Sequence, residues 1–190
     1  MALRRGFKAE AERIATDVWT AMDLEPSDAL DAVALAQHVG CSVHAADELV
    51  SIDRLRELYD IQSNAFFACT IPLPNGSSAV VYNPLMPDSR RNSDVSHEVA
   101  HILLDHSLSR LERIGNVSFL SCDKAQEDEA SWLSGCLLLP RPALVHDLKK
   151  RRSHATIAEQ RVLSIEMVEY RIRVTGAARQ LAASRRKRKS

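Results

Sequence analysis

Five residues, His97-Glu98-Val99-Ala100-His101, constrain this chain more than any other feature of it. Side chains four apart share one face of an α-helix, so two imidazoles at this spacing read as a helix that presents both rings to one point. Such a pair suits a zinc ion, to which imidazole nitrogens bind at about 2.0–2.1 Å. The carboxylate between them, beside the metal and not on it, is placed to take a proton from water that the metal has acidified. His97 and His101 are therefore the expected metal ligands and Glu98 the expected catalytic base. Ile102, Leu103 and Leu104 follow at once and supply an apolar side on which the helix can be buried.

A catalytic zinc site keeps three protein ligands and leaves one position open. His106 falls five residues after His101 with no glycine between, whereas the elongated form of the motif has a glycine turn and its third histidine at the place taken here by Ser107. His106 is set aside as a ligand on that ground. Glu127 and Glu129, at the start of the next helical segment, remain, and by spacing either fits. Asp128 reads as a charge at a helix N-terminus. Asp94 and Asp105 flank the site helix, and Asp105 is a candidate to orient a ligand imidazole from behind. His38, His44, His146 and His154 have no paired ligands nearby and read as surface or partly packed residues.

Around this motif the pattern alternates between helix and strand. Ala11, Ile14, Ala15 and Val18 make one face of a helix over 8–22. Residues 31–39 continue as helix up to Gly40, a left-handed cap, with a short strand at 41–44 and a brief helix at 54–59. Two strands, 65–71 and 79–82, flank Asn75-Gly76, a pair that tolerates the positive φ of a hairpin turn. The site helix is predicted over 89–105 and a partner over 124–139, which Pro140 ends. Helices at 154–159 and 165–174 follow, the second with Ser164 as N-cap and Gly176 behind it. The chain is thus expected to be α+β and mostly helical, a small antiparallel sheet packing on the metal-binding helix. Residues 1–148 read as the main domain, 149–184 as a helical appendage and 185–190 as a disordered basic tail.

Composition excludes several classes. With 190 residues, 45% of them hydrophobic, the chain can bury one sizeable core. No apolar run approaches the roughly 18–20 residues of a membrane span, and the N-terminus lacks a long apolar stretch, so a cytoplasmic protein with no membrane contact is expected. Cys41, Cys69, Cys122 and Cys136 form no CxxC pair and read as reduced, buried small hydrophobes, which argues against cysteine chemistry. Charge is uneven: residues 1–148 carry 12 basic and 22 acidic side chains, residues 149–190 carry 13 and 3. The basic end, with Lys149-Lys150-Arg151-Arg152 and the run from Arg185 to Lys189, reads either as a solvated tail or as a contact for DNA or an acidic partner.

These residues together resemble the ImmA/IrrE family of metallopeptidases of bacteria and their mobile elements. Gly6-Phe7-Lys8 with Ala11-Glu12 is similar to the family's first helix, and residues 31–43 to its segment with Asp, Leu-Ala, Gly and Val in order. Asn83 and Arg90-Arg91 resemble the approach to its zinc helix. Glu127 and Ala130, followed by Leu137-Leu138-Leu139-Pro140, resemble its second helix, whose first glutamate is the third ligand. Ser131 stands where the family usually has Asn or Asp, Leu133 where it has Phe, and Ser134-Gly135 where it has alanines. Ile157-Ala158, Ser164, Val168 and Arg171-Ile172 resemble its trailing helix-turn-helix-like pair. The resemblance implies a zincin-like fold, Glu127 as third ligand to Zn2+, and an endopeptidase whose substrate is a helix-turn-helix repressor of stress or mobile-element genes. The alternative is a metal-containing regulator that binds DNA or a repressor without cutting. Two histidines and a carboxylate also suit Mn2+ or Fe2+.

Overall fold

A computed structural model describes residues 3–63, 66–106, 110–114, 117–121 and 123–187. Its elements run α1 (Phe7–Ala21), α2 (Ala32–His38), β1 (Ser42–Ala45), a single 3-10 turn (Ala46–Glu48), α3 (Ile52–Ile61), β2 (Ala68–Pro72), β3 (Ser78–Tyr82) and α4 (Asp88–Leu103). There follow β4 (Arg110–Ile114), β5 (Val117–Ser121), α5 (Lys124–Leu138), α6 (Arg141–Lys149), α7 (His154–Gln160), α8 (Ile165–Thr175) and α9 (Ala177–Lys187). The fold is α+β and mostly helical, as the periodicities require.

The second half of helix α5 is the centre of the molecule: it is apolar or small all round, and every residue from Trp132 to Leu138 is buried. Helix α1 lies against it through Phe7, Ala11, Ala15 and Trp19, the two alanines letting the backbones approach, and Trp19 Nε1 donates to Leu137 O at 2.7 Å. Helix α4 packs on α5, on α2, and on β2 and β3. Its buried Asn92 accepts from Ala32 N (2.8 Å) and donates to Leu30 O (3.2 Å), stitching the start of α2 to the site helix.

The sheet departs from expectation in one strand. β2 and β3 form the antiparallel hairpin, closed by Gly76 at φ 82° with Asn75 Oδ1 accepting from Ser77 N. β1, however, pairs with β3 in parallel, Ser42 opposite Ala79, so the sheet is mixed in the order β1-β3-β2. A tight turn forces antiparallel pairing, whereas the long connection from β1 through α3 leaves direction free. β3 is buried on both faces: Val80 joins the main core, and Val81 joins a smaller cluster with Ala46 and Leu55. The β4-β5 hairpin lies in a stretch for which no strand is predicted above, although Leu111, Ile114, Val117, Phe119 and the Gly115-Asn116 pair carried a hairpin signal.

One buried cluster spans the expected boundary at 148, including Leu144 on one side and Ile157, Leu163 and Val168 on the other. Two buried arginines reach across the same boundary. Arg161 donates to Asp147 Oδ2 (2.7 Å) and to the carbonyls of Pro26 and Asp28, and Arg171 donates to Leu139 O (3.0 Å) and pairs with Glu12. Gly135 makes room for the second, since a Cβ there would lie 3.3 Å from Arg171 Cδ. Helix α9 runs to Lys187, so the first three residues expected to be disordered have helical backbone, in keeping with the helix propensity of Ala, Arg and Lys; residues 188–190 lie outside the described residues.

Candidate metal centre

Helix α4 carries His97, Glu98 and His101 on its second half, and the first turn of α5 carries Glu127. That turn is set by Asp123, whose side chain accepts from Ala125 N at 2.7 Å and whose carbonyl accepts from Glu127 N at 3.0 Å. The packing of α4 on α5 then brings three ligand atoms together. His97 Nε2 lies 3.1 Å from His101 Nε2 and 3.2 Å from Glu127 Oε2, and His101 Nε2 lies 3.4 Å from Glu127 Oε1. Bonds of about 2.0–2.1 Å meeting at a tetrahedral angle set ligand atoms about 3.3–3.4 Å apart, so the donor set fits a metal ion. Among the described residues this is the one such group. Glu129, the alternative left open by spacing, turns instead toward His106 and Arg4.

Burial tunes the site. The His101 imidazolium is pushed down to about 4, by burial first and then by His97, which keeps the ring neutral as a ligand must be. Burial pushes the Glu98 carboxyl up, against a hydrogen bond from Thr70 Oγ1 to Glu98 Oε2 at 2.7 Å. Thr70 reaches it because β2 pairs Thr70 with Val80, and cross-strand partners share a sheet face, here the face toward α4. Asp94 is likewise raised by burial and is held by Arg90 at 2.9 Å, whose guanidinium lies 4.1 Å from the Phe67 ring. Beside His97 and Glu98 opens a cavity of about 360 Å³ walled by Phe67, Arg90, Asp94, Ser131 and Met167. Met167 comes from α8, so the C-terminal helices help to build the cleft.

Sequence reasoning missed Thr70, and nothing in one sequence marks it, since it is joined to Glu98 only by strand register. It also mistook the neighbour of His101: Asp105 is exposed, and His106 lies against the ring, Nδ1 to Nδ1 at 3.1 Å. The remaining histidines stand apart from the site; His44 pairs with Glu48 and His154 with Glu169 at the surface.

The family described as the IrrE N-terminal-like domain (Peptidase_M78) matches residues 63–173, more than half of the chain, a span that takes in both site helices. The chain belongs to the ImmA/IrrE metallopeptidase family. Its mostly helical build with a small mixed sheet is accordingly zincin-like. No curated protein and no solved structure matches it. Among the described residues no helix is long and apolar enough to cross a membrane.

Proposed function

We propose that this member of the ImmA/IrrE family is a zinc-dependent endopeptidase acting on a folded protein partner, a helix-turn-helix repressor. The observation that carries the hydrolytic part is the convergence of His97, His101 and Glu127 with Glu98 half-buried alongside, next to an open cleft. A zinc ion held there would supply a Lewis acid for the scissile carbonyl and acidify water. Glu98 is the proton carrier: it takes a proton from the attacking water and returns it to the leaving amine. The bond from Thr70 occupies Oε2, which holds the carboxylate plane and leaves Oε1 to work. β2 is an edge strand of the sheet, and a peptide paired to its free edge would pass beside Thr70 and therefore beside Glu98.

The repressor is supported by family resemblance alone. DNA contact through the basic end is the second reading. It loses Arg161 and Arg171 to burial, and α8 exposes Glu166 and Glu169, which oppose phosphate. Its support is the exposed Lys149, Lys150 and Arg151. The test is to incubate wild type and Glu98→Gln with a proteome extract and map new protein termini by mass spectrometry, with zinc content measured on both. Termini made by wild type alone, at equal metal content, and lying in repressors support the proposal. New termini confined to other proteins remove the repressor, and none at all removes the peptidase.

A further inference from the structure

Behind the three converging atoms runs a second set of contacts that the reaction does not use. Asp105 takes a left-handed conformation, φ 50°, and turns the chain back on the end of α4, with His106 N donating to His101 O at 3.0 Å. That reversal is why a histidine five residues on, at the wrong spacing to be a ligand, can sit behind one. The His106 ring is 7% exposed. Its Nδ1 lies 3.1 Å from His101 Nδ1, its Nε2 lies 3.5 Å from Glu129 Oε2, and Glu129 Oε1 lies 3.0 Å from Arg4 Nε. Arg4 in turn is pinned by both amino nitrogens to Glu10, at 2.7 and 2.8 Å.

We propose that His106, held by Glu129 and Arg4, is a positioning residue that sets the tautomer and orientation of His101. Two facing ring nitrogens at 3.1 Å need one hydrogen between them. Glu129, paired to a guanidinium, is a carboxylate and can only accept, so it favours the hydrogen of His106 on Nε2. His106 Nδ1 is then a lone pair and accepts from His101 Nδ1–H. On the other side of the metal-free ring His97 Nε2, 3.1 Å from His101 Nε2 and 3.2 Å from Glu127 Oε2, supplies the hydrogen, so that His101 Nε2 itself carries none. Each proton follows from the one before it, and the chain begins at Arg4, ahead of the first helix. It also gives Glu129 a role different from that of Glu127 two residues earlier. The value of this arrangement rests on His101 being a metal ligand; the tautomer itself does not.

Long-range proton–nitrogen NMR on the metal-free full chain near neutral pH reads the tautomer directly. Wild type is expected to hold His101 as the Nδ1–H form, and His106→Ala to release it into the Nε2–H form. Titration with Zn2+ alone against a competing chelator gives the second readout. His106→Ala and Glu129→Ala are each expected to weaken binding about 10- to 100-fold while still taking one ion per chain, as loss of an outer-shell partner does. The double variant should be no weaker than His106→Ala, because Glu129 acts through His106. An Nε2–H tautomer in wild type, unchanged affinity in both variants, or additive losses would overturn the proposal. A wild type that shows the Nδ1–H form and binds no zinc would remove the metal reading and leave the positioning role standing. Should His106→Ala fail to fold, Glu129→Ala carries the same readouts.

Discussion

At the scale of single residues, the site divides side chains that touch the chemistry from those that hold them. Glu98→Gln keeps the shape and removes the base, so hydrolysis should fall about 10²- to 10⁴-fold with metal content unchanged. Thr70→Val keeps the volume and removes one hydrogen bond to a carboxylate, an interaction of about 1.5–3 kcal/mol. A fall of about tenfold in cleavage rate, with no change in zinc content, is the expected result of that bond's partial loss in the reacting state; an unchanged rate would show that packing alone orients Glu98. Cys136 makes the opposite kind of prediction. Burial pushes its thiol up to about 12, and Arg171 Nη1 sits 3.2 Å from its sulfur. It should resist alkylation at pH 8 in the native chain and react only on unfolding, as residue-resolved mass spectrometry would show.

At the scale of elements, the two buried arginines decide whether the C-terminal helices are part of the fold. Asp147 is fully buried between Arg161 and Arg152. Arg161→Met leaves that carboxylate one cation short and strands the carbonyls of Pro26 and Asp28, so a loss of about 3–5 kcal/mol in urea unfolding is expected. Adding Asp147→Leu should recover part of it, because the two changes act on one network. The asymmetry of charge seen in the sequence thus has two origins. Some cations at the basic end close ion pairs inside the molecule, and others, Lys149 to Arg151 among them, stay in solvent.

At the scale of the whole molecule, the continuous core makes a sharp prediction about truncation. A chain ending at 148 loses Arg161 and Arg171, the helix α8 that packs on α5 and α6, and the share of the core that Ile157, Leu163 and Val168 fill. It should show no cooperative thermal transition by circular dichroism. A chain ending at 184 loses only the end of α9 and should melt within about 2–4 °C of the full chain, the shift that about 1 kcal/mol produces at this size.

Much of this was legible in the order of residues alone. Helix α4 and its two imidazoles followed from a spacing of four, the β2-β3 hairpin from Asn75-Gly76, and the ends of α2, α5 and α8 from Gly40, Pro140, Ser164 and Gly176. These are local rules, in which the deciding groups lie within a few residues of each other. The choice of Glu127 over Glu129 by geometry, the bond from Thr70, the turn that sets His106 behind His101, the parallel pairing of β1 and the burial of Arg161 and Arg171 were not of that kind. Each depends on which faces of distant elements meet, and a helix or strand reports its own periodicity without reporting what will be laid against it.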